Sequence, residues 1–295
     1  MNAHTPLRNL SGNHGKGLVV AFGREDRPQE LSTHYGFANF ATADEYFAQH
    51  PHLWPTEIPP SVERDERLHA PVAACVVYGT PQNWERDIQI LLDLLRSNGR
   101  PGHPAPPGKQ VVSLYVSGPD LLYPWDHCEP RLGDGAFLSC LTHLYNITVR
   151  ATISASSANN MEDEYDHTAD AVGGMTCNKM PDVPGMPELE VIQLGKPHPE
   201  TYKYARGLIQ SRAQDMGYSS VQRVYAIGDN PQSDIRGANG AGDDWISVLV
   251  HTGIFRPEQE GCDNCPENPA QIVAKDVSEA VSLILAREGY PQEDS

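Results

Sequence analysis

Short apolar runs alternate with amphipathic ones along most of the 295 residues. Gly17–Gly23 (GLVVAFG) predicts a strand, and QELSTHYGF after it reads as helix-like. A polar and aromatic stretch then leads to Trp54-Pro55. Val72–Gly79 (VAACVVYG) is β-branched enough to predict a buried strand. In NWERDIQILLDLLRSNG, Ile88, Leu91, Leu92 and Leu95 fall at helical spacing, and Asn98-Gly99 is a stop signal. Val111–Gly118 predicts a strand and Gly135–Ile147 a helix. Regular patterning resumes with three strand-helix pairs. These are ELEVIQL with PETYKYARGLIQSRAQDM, VQRVYAIGD with SDIRGANGAG, and WISVLVHTG with VSEAVSLILAREG. The alternation predicts an α/β layer fold, with three βα units of a parallel Rossmann-like sheet at the C-terminal end.

Two segments break the rhythm. Residues 100–109 (RPGHPAPPGK) are too rich in Pro and Gly for a regular element. Residues 154–187 are polar and acidic with almost no aliphatic periodicity, and predict a surface insertion. Much of the chain's 25 Gly and 25 Pro lies in these stretches and in tight turns. Lys+Arg 22 against Asp+Glu 39 leaves a net charge of −17, which argues against nucleic acid or an anionic membrane surface as partner. No apolar run approaches a membrane span. The six cysteines are scattered apart from Cys262 and Cys265, a single CxxC in a loop-like stretch, and this pattern predicts free thiols. The twelve histidines show no HxxxH or HExxH spacing.

Candidate chemistry lies near two turns. In VYAIGDNPQSDIRGANGAG an apolar strand ends at Gly228-Asp229, and Asp234 follows one turn into a helix. Ligands of parallel α/β sheets sit beyond the carboxyl ends of strands, so Asp229 and Asp234 are placed to offer oxygens to a hard cation such as Mg²⁺. The alternative is a helix cap, with Asn230 at N-cap and Asp234 favoured by the helix dipole. In LGKPHPETYKYA, Lys196 stands between a strand and a helix, where a flexible cation suits phosphate. Asp120, after a predicted strand, is a candidate for substrate contact.

GKPHPxxY followed by GDNPxSDIxGAxxAG resembles the third and fourth motifs of the haloacid-dehalogenase-like (HAD) hydrolase superfamily, in the class IIA form. GTPQNWERDIQILLDLLRSNG, LYVSGPDLLYP, PRLGDGAFLSCLTHLY and KDVSEAVSLILAREGY resemble the cat-eye-syndrome critical-region protein type subfamily. The resemblance implies a Rossmann-like HAD core with a C2-type α/β cap and Mg²⁺-dependent phosphatase-type hydrolysis of a small phosphorylated metabolite. It also implies residence in the mitochondrion, with the cytoplasm otherwise. Lys196 matches the charge-stabilising lysine, and Asp229 and Asp234 the acidic motif near the metal. Thr5, in Ala3-His4-Thr5-Pro6, is the hydroxyl nearest the phosphate-binding second motif, although the matching position reads Ala.

The superfamily's first motif, Asp-x-Asp-Gly, supplies its nucleophile, and no such sequence occurs here. The expected organisation is a remnant of the second core motif over residues 1–16, a cap over 17–187 and the C-terminal part of an incomplete core over 188–295. Such a chain is a truncated gene model or isoform, catalytically incompetent as written. The alternatives are a non-catalytic phosphate- or Mg²⁺-binding regulatory pseudoenzyme and a module whose acidic insertion recruits partners. A core lacking its first strands also leaves the motif-four strand open on one side, an edge prone to self-association.

Overall fold

The computed structural model describes residues 5–9, 17–106, 109–118, 120–123, 126, 127, 129, 131–158 and 188–290. The chain divides into two compact units, Leu7–Gln193 and Leu194–Ser295, the second joined by Met1–Pro6. Both units are α/β with parallel strand pairing, the fold class that the alternation predicts.

The larger unit is built on β1 (Leu18–Phe22), β2 (Phe40–Thr42), β3 (Val72–Val77), β4 (Ser113–Ser117) and β7 (Val191–Leu194). They stand side by side in the order β2-β1-β3-β4-β7, with β1 parallel to β2 and β3, and β3 parallel to β4. All five residues of β1 are buried, as befits a sheet covered on both faces. The covering helices are α1 (Arg27–Tyr35), α2 (Ala43–Gln49), α3 (Trp84–Leu95) and α4 (Asp134–Ala158). Ile90, Leu91, Leu94 and Leu95 of α3 are fully buried against Leu18, Val20, Cys75 and Leu114 of the sheet. A short antiparallel pair, β5 (Leu122–Tyr123) with β6 (Arg131–Leu132), precedes α4.

The smaller unit carries β8 (Val224–Gly228), β9 (Trp245–Val250) and β10 (Ile272–Ala274), parallel and in the order β10-β9-β8. Its helices are α5 (Pro199–Asp215), α6 (Arg236–Asn239), α7 (Pro257–Glu260) and α8 (Val277–Arg287). A π-helical turn, Pro231–Ile235, runs directly into α6. Among the described residues β8 pairs with β9 alone, so it forms the edge of this sheet.

Three elements depart from the pattern reading. ELEVIQL is not the first strand of the C-terminal sheet: its β7 lies beside β4, tied there by Gln110, which accepts from Glu190 N–H (2.9 Å) and donates to Glu190 O (2.9 Å). The third strand of the C-terminal sheet is instead β10, three residues too short to show a period. α4 runs on past Ile147 to Ala158, because neither Gly nor Pro interrupts TVRATISASSA. Residues 159–187 of the expected insertion lie outside the described residues, as do Ala3 and His4 of the expected second-motif remnant.

One buried charge in the larger unit is sensitive to pH. Asp87 is 2% exposed and accepts from Arg86 Nε at 3.0 Å. Burial pushes its carboxyl up to about 6 against the pull of Arg86. A carboxyl raised in the folded state binds its proton more readily there than in the unfolded chain. Its contribution to stability therefore grows as pH falls through that value and levels off below the unfolded value of about 4. Asp87→Asn removes the titration. Urea unfolding from about pH 7 to about pH 4 should move the wild type up relative to D87N by roughly 1–3 kcal/mol. An unchanged difference between the two curves would contradict it.

Candidate functional site

The site of the smaller unit grows from the end of β8. The strand stops at Gly228, and Asn230 caps the following turn by accepting from Gln232 N–H at 2.9 Å. Pro231 at the first helical position suits this start. The turn carries Asp234 back under the end of the strand, with its side chain against Gly228. A Cβ at Gly228 would overlap the Asp234 carboxyl group, so this close approach requires glycine. Tyr202 of α5 holds the turn from the other side, its hydroxyl donating to Asp234 O at 3.2 Å. Burial, and then the nearby Asp234 charge, raise the Tyr202 hydroxyl well above its ordinary value, which keeps it a donor.

Asp234 is 8% exposed and both its oxygens are engaged. Oδ1 accepts from the Lys196 ammonium, and Oδ2 from Asn230 N–H at 3.2 Å. Lys196 reaches it from the loop before α5. That loop is fixed by Gly195 N–H donating to the buried Thr201 Oγ1 (2.9 Å) and by His198 N–H donating to Gly195 O (2.8 Å). The lysine side chain remains 52% exposed, so its charge still faces solvent. Burial, with Arg236 nearby, pulls the His198 imidazole below its ordinary value, which favours the neutral form at the start of α5.

Asp229 lies at the carboxyl end of β8, half-buried. Its Oδ2 accepts from Ile254 N–H at 2.8 Å, and its carbonyl from Phe255 N–H at 3.1 Å. A Cβ at Gly253 would collide with that carboxylate, so the loop after β9 approaches it through glycine as well. The structure thus brings Lys196 and Asp234 into contact and sets Asp229 at the end of the same strand. Thr5 opens the 3-10 helix Thr5–Asn9 and groups with this unit. Asp120 belongs to the larger unit, where its side chain is exposed and its carbonyl accepts from Gly135 N–H at 3.0 Å.

These residues do not form an all-protein cage for Mg²⁺. Both oxygens of Asp234 are taken, and Asp229 has one oxygen held by Ile254. Among the described residues no group of three or more His, Cys, Asp or Glu is arranged to hold a metal. Mg²⁺ binds through one or two carboxylates with waters and substrate phosphate, so this chain offers one ligand from Asp229 rather than a cage.

Asp134 is a polar feature that pattern reading misses. It opens α4 and accepts at Oδ1 from both Thr80 N–H (2.7 Å) and Thr80 Oγ1 (2.6 Å), just past the carboxyl end of β3. The Gly-Asp-Gly before an apolar run was its available signal, as an acidic helix start.

Residues 193–280 match the family model described as HAD-hydrolase-like. The chain is 28% identical, over 292 residues, to a cardiolipin synthase (CMP-forming) / mitochondrial hydrolase fusion protein of Schizosaccharomyces pombe. That alignment covers 97% of this chain and 42% of the fusion protein. It is also 28% identical over 236 residues to a mitochondrial hydrolase of Saccharomyces cerevisiae, covering 72% of this chain and 55% of that one. The chain therefore spans about half the length of the curated relatives it matches. Among solved structures it is similar to a possible sugar phosphatase of the HAD superfamily from Cytophaga hutchinsonii. That match has TM-score 0.47 and 15% identity, and covers 92% of this chain and 69% of that one. Lys196, Asp229 and Asp234 all fall within the segment that matches this family model.

Removing Lys196 leaves the Asp234 carboxylate buried with one backbone donor. Lys196→Met should destabilise the smaller unit by about 1–2 kcal/mol, less than for a fully buried pair because the lysine is half exposed. Lys196→Met with Asp234→Asn should recover part of that loss. Denaturant unfolding of the four-member cycle reads the coupling, and strictly additive losses would rule the pairing out as a stabilising interaction.

Proposed function

We propose that this chain is a HAD-like hydrolase of the phosphatase type, of subfamily IIA and the cat-eye-syndrome critical-region protein type. In this reading it carries the lysine and acidic half of a phosphoryl-transfer centre. The observation that supports the reading best is the Lys196 ammonium fixed on Asp234, beside Asp229, at the carboxyl end of a parallel strand. A cation held there is placed to neutralise a phosphoryl group, and Asp229 is the carboxylate through which Mg²⁺ would be shared with such a substrate. In the same reading residues 17–187 are the C2-type cap, where Asp120 contacts substrate, and residues 188–295 belong to the core. Thr5 is the nearest candidate hydroxyl for phosphate. The mitochondrion is proposed as location from the names of the two fungal relatives.

The 295 residues hold no Asp-x-Asp-Gly, so the chain alone brings no matching carboxylate to attack phosphorus. It is read as catalytically incompetent as it stands. A non-catalytic phosphate-binding or regulatory role is the second reading, favoured by the full engagement of Asp234 with Lys196 and Asn230. The edge of β8, open among the described residues, is where a second copy could add a strand.

An aryl phosphate assay with and without Mg²⁺ tests competence. The expected rate for this chain equals the protein-free blank under both conditions. Mg²⁺-dependent turnover that vanishes in Asp229→Ala would overturn the incompetence and leave the family reading standing. Turnover untouched by Asp229→Ala and Lys196→Met would overturn the assignment of the site itself.

A further inference from the structure

At the amino-terminal edge of the five-stranded sheet lies a cleft of about 220 Å³. The assigned residues Lys196, Asp229 and Asp234 all belong to the smaller unit, whereas this cleft lies within the larger one. Four imidazoles line it, His50, His52, His69 and His103, together with Arg100 and Tyr46. They come from four pieces of chain: the end of α2, the two short 3-10 helices Pro51–Leu53 and Glu66–His69, and the turn after α3. The rings crowd together, His50 lying 4.7 Å from His69, 5.9 Å from His52 and 4.5 Å from Tyr46 by ring centroid.

The cleft is braced by backbone on every side. His50 Nε2 lies 2.9 Å from Leu68 O. Arg100 Nη1 donates to His69 O at 2.6 Å, which pins the turn to the preceding 3-10 helix. Val72 N–H donates to Gly99 O at 2.7 Å, and Asn98 N–H to His103 O at 2.9 Å. The side chains are therefore presented by a fixed frame rather than by a loose loop.

The charges around the cleft decide its sign. On the Glu66–His69 side, Asp65 is ion-paired with Arg67 (2.6 Å) and Glu66 with Arg64 (2.6 Å). On α3, Asp93 accepts from Gln89 at 3.2 Å and feels Arg96 and His52, while burial raises its carboxyl above the ordinary value. Asp65 and Glu66 are thus each held by an arginine and also face His69, while Asp93 is held by Gln89 and faces His52. Arg100 has no carboxylate within ion-pair distance among the described residues, so its charge is not spent on an ion pair there. In a chain of net charge −17, this is a local concentration of cationic groups.

We propose that His50, His52, His69, His103 and Arg100 form a binding site for a small oxyanion of the phosphate class. Burial, and then the neighbouring His69 and His52, hold His50 below its ordinary value. Rings this close oppose one another's protonation, and a bound anion removes that opposition. Imidazole is the side chain whose charge normally changes between about pH 5 and 8, so binding takes up protons and strengthens as pH falls. The cleft is smaller than the roughly 300–1,000 Å³ of drug-sized ligand sites, which suits an oxyanion with its waters or a short organic phosphate. A transition metal is the competing occupant for histidines, but among the described residues no three ligating groups converge on one point.

The test is calorimetric titration of the whole chain with sulfate, whose charge is constant across the range, at about pH 5.5 and about pH 8. The expected result is binding at least about tenfold tighter at the lower pH, with proton uptake seen as a buffer-dependent heat. Titration with inorganic phosphate and with glycerol phosphate separates a bare anion from an organic phosphate. Either one binding competitively with sulfate supports the site. Arg100→Gln and His103→Gln, both at exposed positions, should each weaken sulfate binding about three- to tenfold without altering the fold by circular dichroism. Lys196→Met should leave the pH-dependent component that the cleft substitutions weaken unchanged, which separates this cleft from the other unit's lysine. Binding that ignores pH, survives both cleft substitutions or disappears with Lys196→Met would overturn the proposal, as would Zn²⁺ binding that displaces sulfate.

Discussion

A carboxylate buried under the end of a strand needs a positive partner, and the site of the smaller unit is organised around that need. Asp234 has lost most of its water, and an unpaired charge there would cost several kcal/mol. Lys196 and the Asn230 N–H meet the requirement from two different loops, which fixes both loops relative to β8. The other features follow from the same demand. Gly228 is bare so that the carboxyl can tuck beneath it, and Tyr202 grips the carbonyl of Asp234 so that the turn cannot swing away.

Local signals were legible where one short segment decided the outcome. The two turns at Gly195-Lys196-Pro197 and Gly228-Asp229-Asn230-Pro231 stand at strand ends, as their sequences imply, and α3 begins and ends close to where its apolar spacing and stop signal put it. Pairing between distant strands was not legible. The row ELEVIQL says only that a half-polar strand exists, since Val191 to Gln193 are all partly or largely exposed. Which sheet it joins is set by Gln110, eighty residues away, bonding to Glu190. α2 was missed although its start is written locally. Thr42 and Glu45 form a capping box, the Thr42 hydroxyl accepting from Glu45 N–H at 3.2 Å and Glu45 accepting from Thr42 N–H at 2.8 Å. With only three strand residues before it and seven helical residues after, neither period had room to appear.

The histidines make the same point on a larger scale. Their spacing in sequence excludes the usual zinc patterns, and that inference is sound for local motifs. His50, His52, His69 and His103 meet only because the end of α2, two 3-10 helices and the turn after α3 share the amino-terminal edge of one sheet. Net charge misleads in a similar way. A total of −17 describes the long-range field of the chain. The sign of a cleft depends on which carboxylates nearby are already paired, and here Asp65 and Glu66 are.

Three buried or partly buried carboxylates in the two units are met in three different ways. Asp87 is pressed against Arg86 in a place so dry that its carboxyl is pushed up to about 6. Asp134 is met by neutral donors, the N–H and hydroxyl of Thr80. Asp234 has an ammonium whose own charge remains half in water. That last arrangement neutralises itself, whereas clustered metal ligands repel one another until the ion arrives and so couple binding to folding. Asp229, tied by a single N–H to Oδ2, is the member of the group whose carboxylate can still turn part of its charge to something outside the chain. Holding the site and engaging a ligand are thus divided between Asp234 and Asp229. The division follows from which of the two carboxylates lies under the strand and which lies at its end.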